Sequence, residues 1–280
     1  MSWTYSEEYY KQYTRDTWNE SAPNYAPLER NLNQWNPSLL RAAAPRPGER
    51  VLDVATGTGE PALSIAPLVG ASGTVLGIDL SEGMVRVATA RAKEARLAQL
   101  AYRVMDAELM DLPDASFDLV VCRFGLQIVT DPDKTIAEMR RVLKPGGRLA
   151  ATVWGPAERC PALHVIIGPM LEHAEPDETG YLPTPYEMGG DGELVAKLTQ
   201  AGFADAREER VTREWTFTDP EAWLRATLEG SPIGHSLREE EPAVQEEVLR
   251  ATKVNMQRWM GPKGVAVPSE AVVVAARKPA

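Results

Sequence analysis

Residues 51–59 read Val-Leu-Asp-Val-Ala-Thr-Gly-Thr-Gly, an apolar β-branched run that breaks into a loop with two glycines, and Pro61-Ala62-Leu63-Ser64-Ile65-Ala66 continues with helical character. Strand, tight turn and helix in that order commit the chain to an α/β architecture. Gly57 and Gly59 let the backbone pass close to a ligand, because a Cβ there would collide with it or forbid the dihedrals the turn needs. Asp79, in Gly77-Ile78-Asp79-Leu80, then falls at the end of the next strand. A carboxylate so placed can accept both hydroxyls of a ribose.

Two ligand classes use this geometry. Gly57, Gly59 and Ala62 satisfy the G-x-G-x-x-G/A dinucleotide pattern, a weak match when taken alone. Asp53, an acid on the strand end just before the turn, argues the other way: it would repel an anionic pyrophosphate and attract the α-ammonium and sulfonium of S-adenosylmethionine. The ligand is therefore expected to be cationic.

The composition fits an enzyme of this kind and excludes others. At 280 residues, 44% hydrophobic and 25% charged, the chain can bury the core of one large α/β domain with an appended cap. Its net charge of −10 disfavours a phosphate backbone as partner, so no nucleic acid is expected. Two separated cysteines, Cys122 and Cys160, no signal-like N-terminus and no membrane-length apolar run point to a cytoplasmic protein without a membrane span.

Alternating periodicities predict strands at 50–55, 74–79, 101–105, 117–122 and 147–153, with helices at 60–68, 81–97 and 132–143 between them. Ser81 is a candidate N-cap, and Lys144-Pro145-Gly146-Gly147 supplies a stop signal and a turn. Further on, 191–201 reads as a helix and 207–218 and 271–277 as strands. Between those last two strands, helices are expected to open at Asp219-Pro220-Glu221 and at Pro242. Right-handed crossovers bring the ligand-facing loops together at the carboxyl ends of the strands.

Four blocks now carry a resemblance. They are Val51 to Gly59; Gly77-Ile78-Asp79-Leu80-Ser81-Glu82-Gly83-Met84; Asp106-Ala107-Glu108 with Leu112-Pro113-Asp114-Ala115-Ser116-Phe117-Asp118; and Arg141-Val142-Leu143-Lys144-Pro145-Gly146-Gly147-Arg148-Leu149. In order and spacing, over roughly residues 45 to 155, the chain resembles a class I S-adenosylmethionine-dependent methyltransferase of the ubiquinone/menaquinone-biosynthesis-like small-molecule branch. The resemblance implies a doubly wound, seven-stranded Rossmann-like sheet with an antiparallel last strand, plus a helical N-terminal arm and a cap insertion. It divides the chain into an arm or lid at 1–42, a cofactor-binding core at 43–218, a helical cap at 219–262 and a final strand at 263–280. Many members carry a third glycine where this chain has Ala55, and alanine is small enough to keep the site open.

The cofactor is then S-adenosylmethionine, leaving as S-adenosylhomocysteine. Its expected site comprises Asp53, Ala55, Thr56, Gly57, Gly59, Asp79, Leu80, Met84, Asp106, Ala107 and Arg123. In the resembled family an acid placed like Asp106 faces the adenine amino group and a neighbouring amide faces the ring. Met84 would pack under the adenine, and Arg123 would border the methionine moiety or pair an acid at the surface.

Methyl transfer is an in-line displacement in which the cofactor is already activated, so the protein supplies geometry and a dry cavity. A base is consequently hard to find by motif. Of the three histidines, His235 and His164 are the better candidates; His173 sits beside Glu172 and Glu175 like an exposed residue. Gln127, after the fourth strand, could orient an acceptor hydroxyl or carbonyl, or simply face solvent. No spacing here suggests a metal site. The N-terminal aromatics Trp3, Tyr5, Tyr9, Tyr10, Tyr13, Trp18, Tyr25 and Trp35 suit either a helix packed on the core or a lid over an apolar acceptor, and could also pack between subunits of a homodimer. Tyr25, Phe124 and His235 are the expected acceptor-pocket residues. The reading is methyl transfer to oxygen or carbon of an apolar or aromatic metabolite such as a quinol, phenol, polyketide or terpenoid. Sulfur or amine methylation is the alternative, followed by an NAD-dependent oxidoreductase or a non-catalytic cofactor-binding scaffold. An Asn-Pro-Pro-Tyr block, the mark of nucleobase or glutamine amino-group methylation, is absent.

Overall fold

The computed structural model describes residues 7–173 and 185–280. Trp3 and Tyr5 lie outside the described residues. Three helices come first, α1 (Glu7–Ser21), α2 (Ala26–Leu32) and α3 (Asn36–Ala43), and β1 (Arg50–Val54) then opens the sheet. The alternating core continues as α4 (Ala62–Val69), β2 (Thr74–Asp79), α5 (Glu82–Glu94), β3 (Leu100–Val104), β4 (Phe117–Arg123), α6 (Pro132–Val142) and β5 (Leu143–Trp154). After it come α7 (Pro161–Leu171), α8 (Glu193–Gln200), β6 (Ala204–Phe217), α9 (Pro220–Gly230), α10 (Pro232–Glu239), α11 (Pro242–Gln257), β7 (Met260–Gly261) and β8 (Gly264–Arg277).

The strands order as β3-β2-β1-β4-β5-β8-β6, with the two-residue β7 paired to β8. β1 to β5 run parallel, and β8 is antiparallel to both β5 and β6. This is the seven-stranded doubly wound sheet with an antiparallel last strand. In β1, Val51, Leu52, Asp53 and Val54 are all buried, the signature of a parallel strand covered on both faces. Helices on the two faces enclose separate apolar layers, one around Val51, Ile65, Leu119 and Trp154, the other around Leu52, Ile78, Val120 and Met139. The edge strand β6 is mostly exposed and carries Arg207, Glu208, Glu209, Arg210, Arg213 and Glu214, which discourages pairing with another chain.

Local signals place several boundaries. The Ser81 hydroxyl accepts from the Met84 amide at 3.1 Å and caps α5, and the Asp131 and Asp219 carboxylates cap α6 and α9 in the same way. The Lys144-Pro145-Gly146-Gly147 segment does not precede β5; it forms an irregular start within it, between the pairs Phe117–Leu143 and Leu119–Arg148. After β5, two helices escaped the periodicity reading. Both α7 and α10 begin at a proline, which supplies a fixed φ where no amide is needed.

Candidate functional site

The carboxyl ends of β1, β2 and β4 converge on the glycine turn. Ala55, Gly57 and Gly59 take φ of 54°, 57° and 111°, so the backbone amides curl around the end of β1. Alanine at position 55 therefore carries a conformational cost that its small size does not remove, since a Cβ is disfavoured in the left-handed region. Asp53 is fully buried beneath this turn. Its Oδ2 accepts from the Thr56 hydroxyl at 2.6 Å and the Ala62 amide at 3.1 Å, whereas its Oδ1 is buried without a hydrogen-bond partner. Burial pushes its carboxyl up to about 7, against the opposing pull of the Thr56 and Ala62 bonds and the Arg123 charge.

Asp79 ends β2 and reaches back across the turn. Its Oδ2 accepts from the Gly57 amide at 2.8 Å and its Oδ1 from the Ser81 amide at 2.9 Å. Desolvation raises its pKa despite these bonds. Gly77 makes room here: a Cβ on it would lie 2.4 Å from the Tyr102 ring and 2.9 Å from the Thr56 hydroxyl. Past β3, Asp106 Oδ1 accepts from the Glu108 amide at 2.8 Å, and its Oδ2 meets the Lys11 ammonium at 3.0 Å. Lys11 also pairs with buried Glu108 at 2.6 Å. A cavity of about 440 Å³ lies between Leu80 and Asp106 on the core and Glu8, Lys11, Gln12 and Arg15 on α1. Met84 and Ala107 are buried in the sequence blocks that follow β2 and β3, and neither lines this cavity. A second cavity, of about 430 Å³, touches Arg50, Thr74 and Phe117, the first residues of β1, β2 and β4. That is the end of a doubly wound sheet opposite to where ligands bind.

The N-terminal helices are fastened to this site by contacts that spacing did not reveal. Glu29, 4% exposed, accepts from the Thr58 hydroxyl at 2.6 Å and from Arg91 at 2.8 Å through both oxygens. Arg91 in turn donates to the Thr58 carbonyl at 2.7 Å. Asn19 Oδ1 accepts from the Ser81 hydroxyl and the Gly83 amide, both at 2.8 Å. Tyr25 lies over the turn, with its ring edge 3.9 Å from where a Gly57 Cβ would stand and its ring in an edge-to-face contact with Trp18. Burial and the nearby Glu29 and Asp79 carboxylates hold its phenol above the usual range, while Arg123 opposes them.

Arg123 is the last residue of β4 and only 7% exposed; its Nη1 donates to Asn33 at 2.5 Å and to Asn36 at 2.8 Å. It is not a surface ion-pair partner. Phe124, at φ 58°, stacks on Trp154 with centroids 4.0 Å apart, and Trp35 packs edge-on to both rings. Gln127 Oε1 accepts from the Trp154 amide at 2.8 Å, so its carbonyl closes the end of β5. His235 sits between α1 and α10, with Glu20 at 3.0 Å, Glu239 at 3.4 Å and the Tyr13 ring edge-on. His164 is exposed on α7, near Tyr186, and His173 lies 3.9 Å from Glu247. The structure thus brings Asp53, Thr56, Gly57, Asp79, Arg123 and Tyr25 together, and places the histidines elsewhere.

Comparison with known proteins agrees with this geometry. Residues 30–158 match the model of the ubiE/COQ5 methyltransferase family. The chain is 34% identical over 182 residues to the ubiquinone/menaquinone biosynthesis C-methyltransferase UbiE of Ralstonia pickettii, covering 62% of this chain and 74% of that enzyme. The corresponding enzyme of Ralstonia nicotianae is 40% identical over 182 residues, with the same shares. Among solved structures, a putative methyltransferase of Bacillus halodurans superposes with a TM-score of 0.58 at 24% identity, over 88% of this chain and 99% of that one. Such a likeness speaks for the fold; the sequence relatives speak for the family. The chain belongs to the ubiE/COQ5 methyltransferase family, and it is an S-adenosylmethionine-dependent methyltransferase.

Proposed function

We propose that the chain transfers a methyl group to carbon or oxygen of an aromatic, quinol-like small molecule. The observation that carries this reading is the cluster of Phe124, Trp154 and Trp35 at the carboxyl ends of β4 and β5, three rings packed on one another and buried. Such a cluster gives this end of the sheet a dry, apolar backing, surroundings that favour an apolar aromatic acceptor over a charged one. The relatives named for C-methylation in quinone biosynthesis support the same acceptor chemistry.

The residues of the turn fit the methyl donor. In this reading Asp79 accepts the ribose hydroxyls on the remaining lone pairs of its two oxygens while keeping the Gly57 and Ser81 amides. Asp106 and the Ala107 amide meet the adenine edge, with Met84 and Leu80 beside it, and Ala55, Thr56 and Gly59 shape the turn. Asp53 Oδ1, buried and lacking a donor, has the charge and the vacancy for the α-ammonium. The donor supplies a methyl carbon already activated by its sulfonium. The protein's part is to hold the acceptor atom in line with that carbon, which can be worth about 7–11 kcal/mol, and to exclude water. With the donor bound, the acceptor's electron pair would form the new bond to the methyl carbon, S-adenosylhomocysteine would leave with the old bonding pair, and the acceptor's proton would pass to water.

Arm residues 1–42 and cap residues 219–262 are the segments we assign to acceptor choice. Tyr25 covers the turn from the arm, and α9 to α11 fill the span between β6 and β8. His235 joins these two segments and is placed to hold the arm on the cap. The test is methyl transfer from radiolabelled donor to a panel of quinols, phenols, thiols and amines. Label on carbon or oxygen of the aromatic acceptors is expected. Label on thiols or amines alone would overturn the reading.

A further inference from the structure

Arg123 is a buried cation with an unfinished set of partners. Its Nη1 is held by two neutral side-chain oxygens, Asn33 Oδ1 at 2.5 Å and Asn36 Oδ1 at 2.8 Å, both from the N-terminal segment. Among the described residues no carboxylate lies within ion-pair distance of it, and its Nε and Nη2 donate to none of them. Asn36 is itself braced, its Nδ2 donating to Glu60 at 3.2 Å. The guanidinium is therefore anchored on one side by the arm and open on the other. Leaving water costs a guanidinium several kcal/mol, and two amide oxygens return only part of it. A planar fork with two free donor nitrogens is complementary to an oxyanion, above all to a carboxylate.

Arg123 ends β4 one residue past the Val54–Cys122 pair with β1, so the guanidinium and the unpartnered Asp53 Oδ1 belong to neighbouring parallel strands at the same carboxyl end of the sheet. An anion acceptor beside a cation acceptor is the complement of a zwitterion.

We propose that Arg123, oriented by Asn33 and Asn36, is an anion subsite that takes a carboxylate or other oxyanion entering beside Asp53. Two molecules can supply that group: the amino-acid end of the methyl donor, or an acidic acceptor. The proposal rests on the placement of the cofactor at the turn, and the experiment separates the two. Binding of S-adenosylhomocysteine and of its decarboxylated analogue, which keeps the ammonium, is measured by calorimetry on the wild type, Arg123→Gln and Arg123→Lys. Charge-assisted hydrogen bonds of this kind are worth roughly ten- to hundred-fold in affinity.

If the cofactor supplies the carboxylate, the wild type prefers S-adenosylhomocysteine by about tenfold or more. The preference falls below about twofold in Arg123→Gln, and Arg123→Lys is intermediate. If the acceptor supplies it, both nucleosides bind all three proteins alike. Binding of 4-hydroxybenzoate to the S-adenosylhomocysteine-saturated protein then weakens about tenfold or more in Arg123→Gln. Either pattern supports the subsite. Equal weakening of both nucleosides, or no change in any of the three ligands, would overturn it, and Arg123→Lys separates the same outcomes if the glutamine variant does not fold. Failure of wild-type protein to bind either nucleoside would instead refute the cofactor placement.

Discussion

Lowering the pH from 8 to 6 should weaken S-adenosylhomocysteine binding about tenfold through Asp53 alone. The buried carboxyl is pushed up to about 7 in the ligand-free protein, chiefly by desolvation. Only its ionised form can pair with the ligand's ammonium. The ionised fraction is about ten-elevenths at pH 8 and about one-eleventh at pH 6, and the apparent affinity follows that fraction. The ligand-free fold responds with the opposite sign. Because the folded pKa lies above the unfolded value, stability from this group is greatest below about pH 4 and falls as pH rises towards 7, by about 4 kcal/mol in all. Asp53→Asn keeps an oxygen for Thr56 and Ala62 while removing the charge. It should raise the melting temperature at pH 8 and bind S-adenosylhomocysteine weakly at every pH. The assay is calorimetric titration across pH 6–8, with 5′-methylthioadenosine as control. That nucleoside lacks the amino-acid end but shares the ribose, so any contribution from Asp79 cancels. An equal pH slope for the two ligands, or an unchanged slope in Asp53→Asn, would show that Asp53 does not meet the ammonium.

Two further perturbations test the surroundings. Gly77→Ala drives a Cβ to 2.4 Å from the Tyr102 ring and should destabilise the fold by about 1–3 kcal/mol in chemical denaturation, with Tyr102→Ala in the same chain restoring part of the loss. Lys11 ties α1 to Asp106 and Glu108 with only partial exposure, so wild-type release of S-adenosylhomocysteine in stopped flow should quicken as salt rises. Lys11→Ala should release it a few-fold faster at low salt, with little dependence on salt.

What the sequence made legible is what lies close along it. The glycine turn, Asp79 and the Ser81 cap are each specified within one strand–turn–helix unit, where steric and hydrogen-bond requirements fall on neighbouring residues. The apolar β-branched run opening at Val51 likewise announced the strand β1. Contacts between distant segments left no such mark. Glu29 reads as one more charge in a helix, and only the fold brings it to Thr58 and Arg91. Lys11 and Asp106 meet across 95 positions. Arg123 illustrates the limit well: its place at the end of the fourth strand was readable, but both the methionine-facing and the surface alternatives suited its type, and only its burial and its bonds to Asn33 and Asn36 distinguish them. The histidines show the complementary case. Their chemistry drew notice, while the positions of His164 and His235 on α7 and α10 depend on helices that no periodicity announced.

The most direct test of the cofactor placement is a crystal structure of the protein bound to S-adenosylhomocysteine. In that complex the ribose hydroxyls are expected on Asp79, the adenine amino group at Asp106 and the α-ammonium within hydrogen-bond distance of Asp53 Oδ1. A ribose away from Asp79, or an amino-acid end pointing away from Asp53, would contradict that placement.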